Sequence, residues 1–448
     1  MMIRKITRCI GLMALAILPL VPSVSTAQNN ERSPYSRYGY GMLSPNTTAG
    51  SRAMGGLSVG LRDAYIINPG NPASYSAVDS LTFIMDVAVS LRNGWIAEGK
   101  RSDARTLGNL EYMTILMPLG RSLAMSAGIM PWATTGYRFG SPETLSTGED
   151  GKTSVRTYSG EGTYNNLYLG FSALTPLKGL SIGANASFLF GVNAHERRVI
   201  YSTPGAINPV FTDRMDLRGV KFDLGTQYEI AFGDKGQRSL TLGVTASLPT
   251  SLSVEEQENR LAINSATGNS IVLKRDTITT NGHYTLPLSL GFGASYRIQD
   301  KMLVGADLRY SQWSSAKYRN QVGKLIDQEG VQIGQLADTY SLALGAEILP
   351  SARSRSIFKR ARYRFGLSFG QGHMKIALPA SSDFAGYQEL GASLGMALPL
   401  VDMRSFLNLA VNYKYLSPQR PSMIREHYLG ITLGLTFNEA WFRKARVH

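Results

Sequence analysis

The chain has 448 residues, of which 43% are hydrophobic and only 17% charged, with 46 glycines, 22 tyrosines and one cysteine. That composition excludes a disordered acidic chain, a disulfide scaffold and a zinc ribbon. The net charge of +14 is not clustered as in a nucleic-acid-binding domain, and beyond residue 27 no stretch approaches the roughly 18 to 20 unbroken apolar residues of a membrane helix.

Residues 1–27 read as a secretory signal peptide. Arg4, Lys5 and Arg8 form a positive start, Ile10 to Val21 an apolar run, and Ser25-Thr26-Ala27 a small-residue cleavage site before Gln28. The run is too short for a spanning helix, and Pro19 and Pro22 interrupt its end. Cleavage there would remove Cys9, the one cysteine, and with it disulfides, thiolate metal sites and cysteine nucleophiles.

Residues 28–80 show no alternation and are rich in Gly, Pro, Asn and Ser, including Ser51-Arg52-Ala53-Met54-Gly55-Gly56 and Asn68-Pro69-Gly70-Asn71-Pro72-Ala73. Pro69 and Pro72 fix φ and keep Asn68 and Asn71 out of the helical region, while each Asn side chain can bond its own backbone in an Asx-turn. The segment reads as a compact, self-capped unit ahead of the main domain, with an ordinary periplasmic tail as the alternative.

From residue 81 the hydrophobic pattern has a period of two. Leu429, Ile431, Leu433, Leu435 and Phe437 alternate with Gly430, Thr432, Gly434 and Thr436, and Leu240, Leu242, Val244, Ala246 and Leu248 alternate with Ser239, Thr241, Gly243, Thr245 and Ser247. One face is greasy and the other small and polar over about 9 to 11 residues, as in a transmembrane β-strand between lipid and lumen. Segments near 81–92, 108–119, 121–131, 162–175, 179–192, 217–232, 238–249, 283–298, 301–313, 338–349, 362–373, 386–398, 405–416 and 426–437 give about fourteen strands. Gly120-Arg121, Leu177-Lys178-Gly179, Asp234-Lys235-Gly236 and Gln299-Asp300 are tight turns, whereas 132–161, 193–216, 250–282 and 314–337 are long. Short turns inside and long loops outside are the rhythm of an outer-membrane barrel, and only a closed sheet satisfies every backbone group in lipid. The expected fold is therefore all-β, a transmembrane antiparallel β-barrel of about 14 strands over 81–437, preceded by the turn-rich segment 28–80. Both termini fall on the periplasmic side, 438–448 forming a C-terminal tail, in the outer membrane of a Gram-negative bacterium.

The motifs at 51–56, at Asp63-Ala64 and at 68–73 resemble the hatch of the FadL/TodX (OMPP1) family of outer-membrane transport proteins, whose usual pattern is A-R-A-M-G-G-A, D-A-A and N-P-A. "SPYSRYGYG" at 33–41, "GIMPWATTGY" at 128–137 and "LTFNEAWFRK" at 435–444 are similar to a subgroup of such barrels. The resemblance implies fourteen strands, a hatch plugging the lumen, an inward kink in the third strand, and passive uptake of hydrophobic small molecules by a hatch-gated, lateral route. Carried onto this chain, Asn68, Pro69, Asn71, Pro72 and Ala73 are the gating candidates. Gly128 and Pro131 are the kink candidates, since glycine weakens a strand and proline removes a ladder donor; the alternative is that Pro131 ends its strand at the outer rim. The chain departs from the pattern in the extra Asn-Pro of NPGNPA and in Tyr65-Ile66-Ile67 after Ala64. FadL-like barrels also serve as accessory subunits, so the second reading is a non-transporting structural barrel of an outer-membrane protein assembly or secretion complex.

Arg353, Arg355, Lys359, Arg360, Arg362 and Arg364 crowd one inferred periplasmic turn, and Arg443, Lys444 and Arg446 follow the last strand beside Trp441 and Phe442. They suit inner-leaflet phospholipid headgroups or an acidic periplasmic partner, or a turn that is merely solvated. His195, His283, His373 and His427 fall near extracellular strand ends, but no pair has the spacing of local metal ligands. Ser289 and His283 share an expected strand without a motif that marks a catalytic pair. No catalytic residue, metal site or cofactor is assigned. The expected partners are outer-membrane lipids, an apolar small-molecule ligand and proteins of an outer-membrane complex. The mixed-charge run at 250–282, with Glu255, Glu256, Glu258, Arg260, Lys274, Arg275 and Asp276, suits solvent or protein contact better than a greasy ligand.

Overall fold

Strands that alternate greasy and small-polar residues can face lipid on one side and a filled lumen on the other, and fourteen of them close here into one antiparallel barrel. The computed structural model describes residues 33–98, 101–144, 153–201, 206–233, 237–264, 271–327, 330–378, 383–400 and 404–440. The leader expected at 1–27, and Trp441, Phe442 and the basic residues after them, lie outside these.

In chain order the long strands are β1 (Thr82–Glu98), β2 (Arg101–Pro118), β3 (Leu123–Thr144), β4 (Thr153–Leu174), β5 (Leu180–Tyr201), β6 (Ile207–Phe232), β7 (Arg238–Ser247), β8 (Thr250–Asn264) and β9 (Ile271–Leu286). They continue as β10 (Ser289–Ile298), β11 (Met302–Ser311), β12 (Thr339–Ile348), β13 (Arg362–Gln371), β14 (Tyr387–Pro399), β15 (Phe406–Pro418) and β16 (Arg425–Ala440). Pairing of β1 with β16, Thr82 opposite Ala440 and Ala97 opposite Arg425, closes the wall. The dyad pattern has its expected meaning: Leu429, Ile431 and Leu433 point outward and exposed, while Thr432 and Thr436 are buried inside.

All of these except β8 and β9 are wall strands. The expected strand at 283–298 is divided, because Pro287 offers no ladder donor and only Ser289–Ile298 joins the wall. Pro249 marks the matching departure on the other side, between β7 and β8. The stretches expected as long loops at 132–161, 193–216 and 250–282 are instead mostly strand. β3 and β4 stay paired up to Thr144 opposite Thr153, and β5 and β6 up to Arg198 opposite Val210. With 26 residues against the 10 of β7, β6 outgrows its neighbour, and Ile207–Arg218 pairs with β8 instead. Antiparallel hairpins need not stop at the membrane surface. Above it the outer face turns polar, and the greasy alternation that marked the strands disappears. One flank of the barrel thus rises as a wall of paired strands. Part of 314–337 joins residues from 374–385 in a small sheet, Lys324–Ile326, Gln332–Leu336, Met374–Ala377 and Phe384–Ala385.

One ladder is short. β2 and β3 pair only from Pro118 opposite Ala124 to Met113 opposite Ile129, although both strands continue beyond. Gly128 lies at the end of this ladder, where a Cβ would sit 2.6 Å from Thr114 Cγ2 and 2.7 Å from Met113 O. Pro131 does not end the strand; the register against β4 shifts between Pro131 and Ala133, and β3 runs on to Thr144. From Trp132 to Tyr137 every residue is buried, so this stretch of β3 has covered surfaces on both faces.

Fourteen strands enclose a lumen wider than wall side chains can fill. Residues 33–80 fill it with short turns, the 3₁₀ turns Pro34–Arg37 and Pro72–Ala77 and the helical turn Ala49–Arg52. Their backbone lies directly on lumen-facing wall glycines. A Cβ on Gly345 would come within 2.6 Å of Met54 O, and one on Gly395 within 2.5 Å of Ala53 Cβ. Gly183, Gly225, Gly243, Gly293 and Gly366 are apposed in the same way to Pro72, Asn71, Val59, Gly60 and Gly55. The small face seen in sequence is thus a seat for the hatch. Gly366→Val should still give a heat-modifiable barrel on a gel but expose residues 45–80 to added protease. Gly120→Val, where a Cβ meets nothing within 4 Å, should leave both readouts unchanged.

Candidate functional site

A chain packed by its backbone rather than its side chains carries N–H and C=O groups into a water-poor lumen, and each needs a partner. The wall supplies them. Asp307, on the lumen face of β11, accepts from the N–H groups of Ser58 at 2.5 Å, Val59 at 2.6 Å and Gly60 at 3.0 Å. Gln227 Nε2 donates to the carbonyls of Val59 and Leu61 at 3.1 and 3.0 Å, Asn185 Nδ2 to Pro69 O at 3.1 Å, and Ser295 Oγ to Gly60 O at 2.7 Å.

The residues singled out at 68–73 are the hatch's internal knot. Asn68 Nδ2 donates to Ser58 O at 2.7 Å and Leu61 O at 3.0 Å, and Asn71 Nδ2 to Val59 O at 2.7 Å. Asn71 also caps the following turn, its Oδ1 accepting from Ala73 N at 3.1 Å. Pro69 and Pro72 set the extended entries between these bonds, and Ala73 O receives Ser172 Oγ at 2.9 Å.

Two ion networks fix the hatch at different heights. Higher up, Arg52 pairs with Glu111 of β2, which Ser90 also contacts and which Arg92 approaches at 3.8 Å. Beside them Tyr112 Oη accepts from Ala49 N at 2.6 Å. At the other end of the barrel, where β13 begins, Arg297 donates to Asp63 at 2.6 Å, with Arg362 at 3.7 Å, while Glu347 receives Arg362 at 2.8 Å and Arg364 at 2.7 Å. Burial pushes the Asp63 carboxyl up, but Arg297, Arg362 and the Tyr65 N–H outweigh it and hold it down to about 2.

This corrects the expected basic cluster. Arg353, Arg355 and Lys359 are exposed on the turn and Arg360 is half-buried, but Arg362 and Arg364 point into the lumen, bound to Glu347, Asp63 and Asn408. They begin β13, and strand parity places them on the same side as lumen-facing Gly366. Sequence reading counted charge along the chain and passed over that parity. It also missed Asp307 and Glu347, lumen-facing acids whose parity with Gly305 and Gly345 would have marked them.

Above the hatch, the upper part of the N-terminal segment meets the outer hairpins in an aromatic cluster. The Tyr40 ring lies 5.5 Å from Trp132, 5.9 Å from Tyr284, 5.7 Å from Trp313 and 5.9 Å from Tyr318. Between hatch and cluster is a chamber of about 550 Å³, bordered by Leu43, Trp132 and Trp313 but also by Arg52, Arg92, Glu111, Lys221, Asp223 and Arg309. Its wall is charged as well as apolar.

The histidines stay apart, and among the described residues no three metal-ligating side chains come together. His195 bonds Tyr137 Oη at 2.8 Å, His427 stacks on Tyr415 and His283 lies on β9, on a different strand from Ser289 of β10. His373 packs 5.0 Å from Trp313, fully inside the cluster, where burial pushes its imidazole down to about 3.

The family described as BamG matches residues 2–448. Among solved structures, the fold is similar to a Pseudomonas aeruginosa FadL homologue, at 12% identity over 89% of this chain and 99% of that one, with a TM-score of 0.60. It is also similar to the P. putida toluene transporter TodX, at 17% identity over 90% of this chain and all of that one, with a TM-score of 0.59. The monoaromatic hydrocarbon channel CymD gives 13% identity over 91% and 100%, with a TM-score of 0.54. These identities carry the fold, a barrel of outer-membrane type. No curated protein matches.

Asp307→Asn should weaken the hatch seat by about 3 kcal/mol, since three bonds to a charged acceptor are compromised; amide exchange at 58–60 measures it. Acid should loosen the two ends in order. A proton excluded from folded His373 binds the unfolded chain from about pH 6.5 downward, so the cluster loses stability as pH falls from 6.5 towards 3. Asp63 contributes fully above its ordinary 3.8 and loses that contribution only towards pH 2. Exchange at 313–318 should therefore rise before exchange at 58–65; the reverse order would contradict both assignments.

Proposed function

This chain belongs to the BamG family, and from that premise we propose that it acts in the outer membrane as a plugged, non-conducting barrel, a structural subunit of an outer-membrane protein complex. The observation that carries this reading is the seating of the hatch. Backbone on glycine, three N–H groups on Asp307 and two buried ion networks leave the plug no low-cost way out. A gate that must open often is drawn from weakly held elements, whereas this one is bonded at every height. The charged chamber supports the same reading, since apolar cargo gains nothing by resting on Arg52, Glu111, Lys221 and Asp223. The raised flank of β3–β6 with β8 and β9 supplies an ordered extracellular surface with mixed charge, of the kind a partner protein recognises. On the periplasmic side, Arg353, Arg355 and Lys359 beside exposed Ile357 and Phe358 suit the headgroups of the inner leaflet.

A second reading is uptake of hydrophobic small molecules, with hatch residues Asn68, Pro69, Asn71, Pro72 and Ala73 as the gate and a strand kink at Gly128 and Pro131 as a lateral exit. It is favoured by the short β2–β3 ladder, which leaves the wall unclosed beside Trp132 and Glu111, both bordering the chamber. The toluene transporter TodX and the monoaromatic hydrocarbon channel CymD share this fold.

Tagged protein extracted from its own outer membrane in mild detergent and weighed by native mass spectrometry separates the two. Stoichiometric protein partners on a barrel that is silent in planar bilayers are expected. A lone barrel that retains an apolar molecule, and whose uptake fails on deletion of 68–73 with the barrel intact, would establish the second reading instead.

A further inference from the structure

We infer that the free edge of β2, Thr106–Tyr112, is a docking site for a short extended segment of a partner protein, a chain terminus or linker that adds to the sheet as a β-strand. The inference rests on the structural-subunit reading and names where that partner is held.

β2 is paired on one side with β1 from Arg101 to Leu116, but on the other only from Met113 downward. Among the described residues no strand covers that second side above Met113. The edge begins at membrane height, because the neighbouring outward side chains Leu91, Leu110 and Met113 are large, apolar and about half exposed. Unpaired N–H and C=O groups are costly there, and a lipid chain offers them neither donor nor acceptor. Asn109 adds a side-chain vacancy: its Oδ1 is shielded from solvent and has no donor.

The opposite bank of the same gap displays the solution. There β3 is covered by the chain's own N-terminal segment, Met42 pairing with Thr134 and Leu43 with Ala133. Ser44 N donates to Trp132 O at 2.8 Å, and Gly136 N donates to Ser36 Oγ at 2.9 Å. Strand addition is thus how this gap is satisfied on one side, and the β2 bank has the same need. Higher on β2, the Asp103–Arg105 pair makes the edge charged and ends the stretch suited to pairing.

Geometry selects the occupant. Barrel strands tilt by about 35–45°, so the facing walls of two barrels cross at about 70–90°, too steep for a ladder. A second copy of this chain, or the wall of another barrel, therefore cannot continue β2. An extended segment free of its own sheet can, with apolar residues towards lipid and polar ones towards Asn109 and Glu111.

Benzophenone side chains introduced at Thr106, Gly108 and Leu110, which all face outward, test this in the full-length protein in its native outer membrane. Heat-modifiability confirms that each variant has folded. The expected result is adducts to one partner segment, with the crosslinked residue stepping by two as the probe steps by two. Alternate amides between Thr106 and Tyr112 should also exchange ~10-fold or more slowly in the native complex than in the purified barrel. Adducts to lipid alone, to another copy of this chain, or to a partner without that stepping would overturn the inference. A partner that co-purifies but gives no adduct here leaves the subunit reading standing and this edge assignment refuted, whereas absence of any partner refutes the subunit reading itself.

Discussion

The rest of the structure depends on the contact between hatch backbone and wall glycine. A fourteen-stranded barrel is too wide to be filled from its wall, so a separate stretch of chain must enter, and a backbone entering a lumen brings its own polar groups. Glycines at Gly243, Gly293, Gly345, Gly366 and Gly395 let that backbone approach until it touches the sheet. At that distance lumen side chains such as Asp307, Gln227 and Asn185 can reach its N–H and C=O groups directly. Close approach and polar satisfaction are one arrangement, and neither is available without the other.

This arrangement also sets the character of what space remains. The chamber above the hatch is bordered by ion pairs, Arg52–Glu111 between hatch and wall and Lys221–Asp223 within the wall, rather than by a continuous greasy surface. The barrel's irregularity is concentrated in one place, between β2 and β3, where one bank is covered by the chain itself and the other is bare.

The fourteen strands were legible because lipid and lumen impose opposite demands on alternate residues, and a period of two records both. The N-terminal segment stood apart for the opposite reason, as a stretch where that period is missing and Asn-Pro turns crowd. The raised flank was not: above the membrane both faces can be polar, so 132–161 and 193–216 lose their alternation while keeping their ladder. Arg362 and Arg364 were misplaced although the signal was present. Their parity with Gly366 sets them in the lumen, and their ion pairs with Glu347 explain how two arginines can sit there.

By itself the sequence determined the class of solvent on each side of the wall and the number of crossings, since these follow from side-chain chemistry repeated along the chain. Only the tertiary structure decided which acid meets which N–H, that Met42 and Leu43 cover the edge of β3, and that β2 is left bare above Met113. Those are matters of register and of contact between residues far apart in the chain, 248 positions for Val59 and Asp307. Alternation says which way a side chain faces but not what stands opposite it.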